Sequence, residues 1–155
     1  MNEYLVVKTI HVISSTLLFG TGIGSAFYML FASLNRDARI VHFVTRHVVI
    51  ADWVFTATAV VVQPATGFYL AWLAGFPLAS GWILWSTILY LVAGACWLPV
   101  VWMQIRMREM ARLAMERGAA LPERYWRFFR IWVALGIPAF TSLVIVFYLM
   151  VAKPA

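Results

Sequence analysis

A chain of 155 residues that is 64% hydrophobic and only 12% charged is too apolar for a water-soluble domain, which is roughly half apolar and a quarter charged. Its net charge of +6 does not point to nucleic acid, because the basic residues flank long apolar runs, the pattern of membrane orientation. One cysteine, Cys96, excludes an internal disulfide and any multi-cysteine metal site.

The reading is therefore an all-α, multi-pass protein of the bacterial inner (plasma) membrane. It forms a single domain over residues 1–155, with the lipid bilayer as its first partner. A bilayer core takes about 20 apolar residues per helix, and four stretches qualify, at roughly 4–34, 48–73, 82–103 and 131–151.

In the first stretch, Tyr4, Lys8, His11, Ser15, Leu18 and Gly22 share one helical face at about 100° per residue. Intramembrane polar groups turn toward the bundle interior, since their burial in lipid is costly. The run "FGTGIGSAF" is not a nucleotide fingerprint, because its third glycine is misplaced and no strand precedes it. Gly20 and Gly24 instead match the small-xxx-small spacing for close helix approach, within the bundle or in a homo-oligomer. A glycine wall facing a flat cofactor is the alternative.

The first loop carries Arg36, Arg39 and Arg46 against Asp37, the second ("LAGFPLASG") has no charge, and the third is arginine-rich. By the positive-inside rule the first and third loops are cytoplasmic, so both termini face outward.

In the second span Asp52, Thr56, Gln63, Thr66 and Gly67 share a face. A carboxylate at the depth of Asp52 requires a partner, expected to be Arg46, Arg130 or Arg106 in a structural ion pair, with proton transfer as the sharper alternative. The third span turns Ser86, Tyr90, Trp97 and Gln104 one way and continues as a cytoplasmic helical loop over 104–130. Gly118 should stop that helix, and "LPER" should restart one. The fourth span turns Arg130, Thr141 and Tyr148 inward. Pro64, Pro99 and Pro138 lie inside spans, each freeing a backbone carbonyl.

Depth sorts these groups into two layers. His11, Gln63, Thr66 and Tyr90 form an outer layer, with Lys8 and Tyr148 nearer the surface. Arg46, His47, Asp52, Gln104 and Arg130 form an inner one. The other histidines, His42 and His47, do not reach the depth of His11, so a haem held by two histidines and a zinc site are both disfavoured. A lone imidazole in an apolar, aromatic-walled interior fits three readings: haem b with His11 as axial ligand, a quinone hydrogen-bonded by His11, or a satisfied polar knot. Under the haem reading, Lys8, Ser15, Gly22, Gln63, Tyr90 and Tyr148 complete the cofactor site. Lys8 there meets a propionate; otherwise it snorkels to the interface.

The segments "YLVVKTIHV", "ADWVFTATAVVVQPATGFYLA", "LPVVWMQIRMREMA", "LPERYWRFF" and "FYLMVAKP" resemble an uncharacterised bacterial family of four-helix integral membrane proteins, domain of unknown function 2269. The opening Tyr4–Lys8–His11, "YxxxKxxH", is more distantly similar to HemJ-type protoporphyrinogen oxidases and CopD-like membrane proteins. That likeness implies His11 as the haem b ligand. The function expected from these readings is electron transfer in the outer half of the bilayer, with a quinone or another redox partner, which would make the chain a membrane oxidoreductase. The alternatives are a non-catalytic subunit or small-solute carrier without haem, and a HemJ-like porphyrinogen oxidase.

Overall fold

The computed structural model describes residues 2–154. Its four helices are α1 (Glu3–Asn35), α2 (Ala38–Leu73), α3 (Gly81–Glu116) and α4 (Glu123–Ala152), with no strand among the described residues. Each is long and apolar enough to cross a membrane. Large apolar side chains such as Val61, Leu98 and Val151 cover the outer surface, as lipid contact requires.

Local chemistry sets the ends. The Asn2 side chain accepts from the Tyr4 N–H at 3.1 Å and caps α1. Arg36 takes a left-handed conformation that closes the helix, with its N–H on the Ser33 carbonyl. Asp37 then accepts from the Arg39 N–H at 2.8 Å, starting α2 at once. Two residues thus separate α1 from α2, and these helices form a tight antiparallel hairpin. The loop expected up to residue 47 is helical from Ala38 onward. At the other junction Gly118, at φ +59°, ends α3, and Pro122 precedes α4. The expected helical loop over 104–130 is thus the projecting ends of α3 and α4, joined by a short turn.

α2 contains a π-helical stretch at Asp52–Thr56. Pro64 lies farther along, and the helix continues through it. Pro64 has no N–H, so the Val60 carbonyl one turn earlier lacks its helical donor. The Tyr90 hydroxyl on α3 supplies one, at 2.8 Å.

Packing is uneven along the bundle. Near the arginine-rich end, α2 packs on α3 and α3 on α4, around Met29, Val41, Val48, Met103, Met107, Tyr125 and Phe129. Tyr125 is fully buried and donates to Ser33 Oγ at 2.6 Å; Ser33 passes its own proton to the Met29 carbonyl at 2.7 Å. Toward the terminal end, the second half of α2 packs on α1, while the first half of α3 packs on α4. α1 and α4 scarcely touch. The bundle is closed at one end and divided into two helix pairs at the other.

The inward face expected of α4 is turned out. Arg130, Thr141 and Tyr148 are exposed, and Phe129, Trp132, Ser142 and Val146 are the buried residues. Apolar packing on α3, rather than the sparse polar stripe, sets the rotation of α4. Gly20 and Gly24 also differ from close-packing positions: a Cβ at either would meet nothing within 4 Å. They make no close helix approach within the chain.

Candidate functional site

The division between the helix pairs leaves two cavities. The first, of about 390 Å³, lies toward the chain termini. α1 contributes Tyr4, Lys8, His11 and Ser15, and α2 contributes Gln63 and Gly67. Trp82, Ser86 and Tyr90 come from α3, Phe147 and Met150 from α4, and Lys153 from the segment that follows. The volume falls within the roughly 300–1,000 Å³ of small-molecule sites.

His11 sits in a continuous hydrogen-bond chain. Thr66 Oγ1 donates to the Val62 carbonyl at 2.7 Å, so toward His11 it can only accept. His11 Nδ1–H therefore donates to Thr66 at 2.8 Å, and Nε2 accepts from the Gln63 amide nitrogen at 3.2 Å. Gly67 lets the ring lie flat against α2, for a Cβ there would stand 3.2 Å from His11 Cε1. Both ring nitrogens are used.

In this arrangement Gln63 takes the Nε2 lone pair that iron would need, so haem ligation by His11 would require the Gln63 amide to turn away. Among the described residues no group of three or more His, Cys, Asp or Glu side chains could hold a metal ion.

Two polar atoms in this cavity's walls lack partners: Gln63 Oε1 and Ser86 Oγ, both buried. Lys8 from α1 and Lys153 from the segment after α4 both line the cavity, both are exposed, and neither forms an ion pair among the described residues. Lys8 lies 5.7 Å from the Tyr4 ring, and Lys153 lies 4.8 Å from Phe76 and 5.8 Å from Trp82. The carboxylate nearest this end in sequence, Glu3, accepts from the Tyr69 hydroxyl at 2.6 Å.

Of the residues expected around His11, the structure gathers Lys8, Ser15, Gln63 and Tyr90. Gly22 lines the second cavity instead, where a Cβ would meet the Phe140 ring at 3.5 Å. Tyr148 is exposed on the outer face. The expected ion pair of Asp52 with Arg46, Arg130 or Arg106 is absent: the ion pairs among the described residues join Arg112 to Glu109 and Glu116. Arg46 and Arg130 are exposed, and Asp52 accepts from the Thr56 hydroxyl at 3.0 Å. Lys153, Phe76 and Trp82 were not anticipated. A lysine just past the fourth span, level with Lys8, was the available signal.

Residues 5–154 match the family described as predicted integral membrane protein (DUF2269). The chain belongs to that family. Nothing among curated proteins or solved structures matches it. Membership agrees with the four apolar helices and with a bilayer as their medium. The "YxxxKxxH" likeness to HemJ-type and CopD-like proteins gains no support from these comparisons, and the family description assigns neither activity nor cofactor.

Proposed function

We propose that this membrane protein is a non-catalytic binder or carrier of an anionic amphiphile. The head would sit between Lys8 and Lys153, and the apolar tail would run into the cleft between the helix pairs. In this reading the protein lies in the bacterial inner membrane with its arginine-rich end in the cytoplasm, as the positive-inside rule suggests, and the cleft would open in the outer half of the bilayer. The observation that carries this reading is a pair of lysines lining one apolar cavity, with no carboxylate paired to either among the described residues. A single snorkelling lysine needs no ligand. Two lysines lining one cavity give it a positive potential that an anionic head would complement. Gln63 Oε1 and Ser86 Oγ, buried and without partners, belong to residues in the same cavity's walls.

The test uses purified protein with oleate as the carboxylate probe, lysophosphatidic acid as the phosphate probe and lysophosphatidylcholine as the zwitterionic control. Saturable binding of an anionic probe, weakened at least about tenfold (about 1.4 kcal/mol) in Lys8→Gln/Lys153→Gln, is expected. Whichever anionic probe binds more tightly identifies the head chemistry. Equal binding of the zwitterion, or no effect of the double substitution, overturns the reading.

A quinol is the second reading, favoured by Gln63 Oε1, which lacks a donor that a hydroxyl would provide. Its binding should survive loss of both lysines and fail in Gln63→Leu. Electron transfer through haem b would require the Gln63 amide to leave His11 first.

A further inference from the structure

The second cavity, of about 370 Å³, lies between the same helix pairs and nearer the arginine-rich end. Its walls are mostly apolar, with Phe27, Trp97, Trp132 and Phe140 among them. Yet Asp52, 4% exposed, and Gln104, 3% exposed, both line it. One Asp52 oxygen takes the Thr56 hydroxyl; the other, Oδ2, has no partner within hydrogen-bond distance although the Gln104 side chain lies beside the carboxyl, and Gln104 Oε1 is also without a partner. Both unpartnered atoms are acceptors. The Trp97 and Trp132 indole nitrogens are also without acceptors.

No Lys, Arg or His nitrogen lies within 4 Å of Asp52 among the described residues. α1 and α4 bring no ionisable side chain to this cavity. α2 brings Asp52 itself with Thr56, and α3 brings Gln104 and Tyr90, whose hydroxyl is committed to Val60. A buried carboxyl without a cation from its own chain must either hold a proton or be balanced from outside. The backbone also departs from ordinary helix at this point, in the π stretch that begins at Asp52. Such single-turn bulges are frequent at functional sites. Aromatic walls favour organic cations, since ring faces attract positive charge once it is desolvated.

We propose that this cavity binds a lipophilic organic cation, with the Asp52 carboxylate as its counter-charge. Binding exchanges one cation for one proton. The Asp52 O–H bond breaks, the proton leaves to water, and the cation takes its place, so the net charge of the site is unchanged.

Tetraphenylphosphonium is the probe, added to the purified full chain in a neutral detergent. Saturable binding is expected, with affinity rising by up to about tenfold per pH unit until Asp52 is ionised without the ligand. In unbuffered solution, at a pH low enough that Asp52 is protonated without the ligand, about one proton should appear per cation bound; where Asp52 is already ionised, none should. Asp52→Asn should weaken binding at least about tenfold and remove the pH dependence, while Asp52→Glu should retain both. Should Asp52→Asn fail to fold, the pH dependence and proton release of the native chain decide the matter. Absence of saturable binding, pH-independent binding, or undiminished binding by folded Asp52→Asn each overturns the proposal.

Discussion

Replacing Tyr90 with phenylalanine removes one oxygen and should reveal why a proline is tolerated in the middle of α2. Pro64 leaves the Val60 carbonyl without its helical N–H, and the Tyr90 hydroxyl fills the vacancy at 2.8 Å. An orphaned buried acceptor costs about 1–3 kcal/mol in soluble proteins. Interhelical hydrogen bonds in membranes average about 0.6 kcal/mol and reach about 1.7. Because this carbonyl cannot regain a helical partner, a loss of about 1–2 kcal/mol is expected for Tyr90→Phe. In a Pro64→Ala background the N–H of residue 64 is restored and can take the Val60 carbonyl. There the same tyrosine substitution should cost under about 0.5 kcal/mol. Reversible unfolding in mixed micelles, across the four chains of the double-mutant cycle, measures the coupling. An equal cost in both backgrounds would refute the pairing of Tyr90 with the proline-freed carbonyl.

Three further outcomes can be checked on the same purified material. Tyr125→Phe should destabilise the chain by about 1–3 kcal/mol, because it leaves buried Ser33 Oγ without its donor; the same change in a Ser33→Ala chain should cost much less, measured by the same unfolding assay. Gly118→Ala should cost about 1 kcal/mol, since its backbone stands at φ +59° where a Cβ is strained, read as a lowered thermal midpoint. Protein from haem-replete cells should show no Soret band that depends on His11, since both ring nitrogens are engaged; a band abolished by His11→Ala would contradict that arrangement.

Much of the architecture was legible in the chain because apolar length is a strong signal. The extension of α3 and its stop at Gly118 could be read from helix formers followed by a glycine. The rotation of α4 could not. Arg130, Thr141 and Tyr148 form a plausible polar stripe, but lipid tolerates them at the surface, and the aromatic packing of Phe129 and Trp132 on α3 decides the orientation. The same limit governs Asp52. Its burial was readable from its depth, whereas the absence of an arginine depends on Arg46 and Arg130 turning outward. Around His11, helical spacing grouped Lys8 and Ser15 with it, and depth added Gln63 and Thr66. The hydrogen-bond directions that occupy both ring nitrogens rest on one fact no periodicity carries: Thr66 gives its proton to its own helix.

The cleft itself is tested most directly by a photoactivatable fatty acid, cross-linked to the protein in membranes and mapped by mass spectrometry. The account predicts labels concentrated on cavity residues such as Ser15, Ala71 and Phe147, and diminished in Lys8→Gln/Lys153→Gln. Labels spread evenly over outward-facing residues such as Phe31, Trp85 and Leu98, with the cavity residues spared, would contradict it.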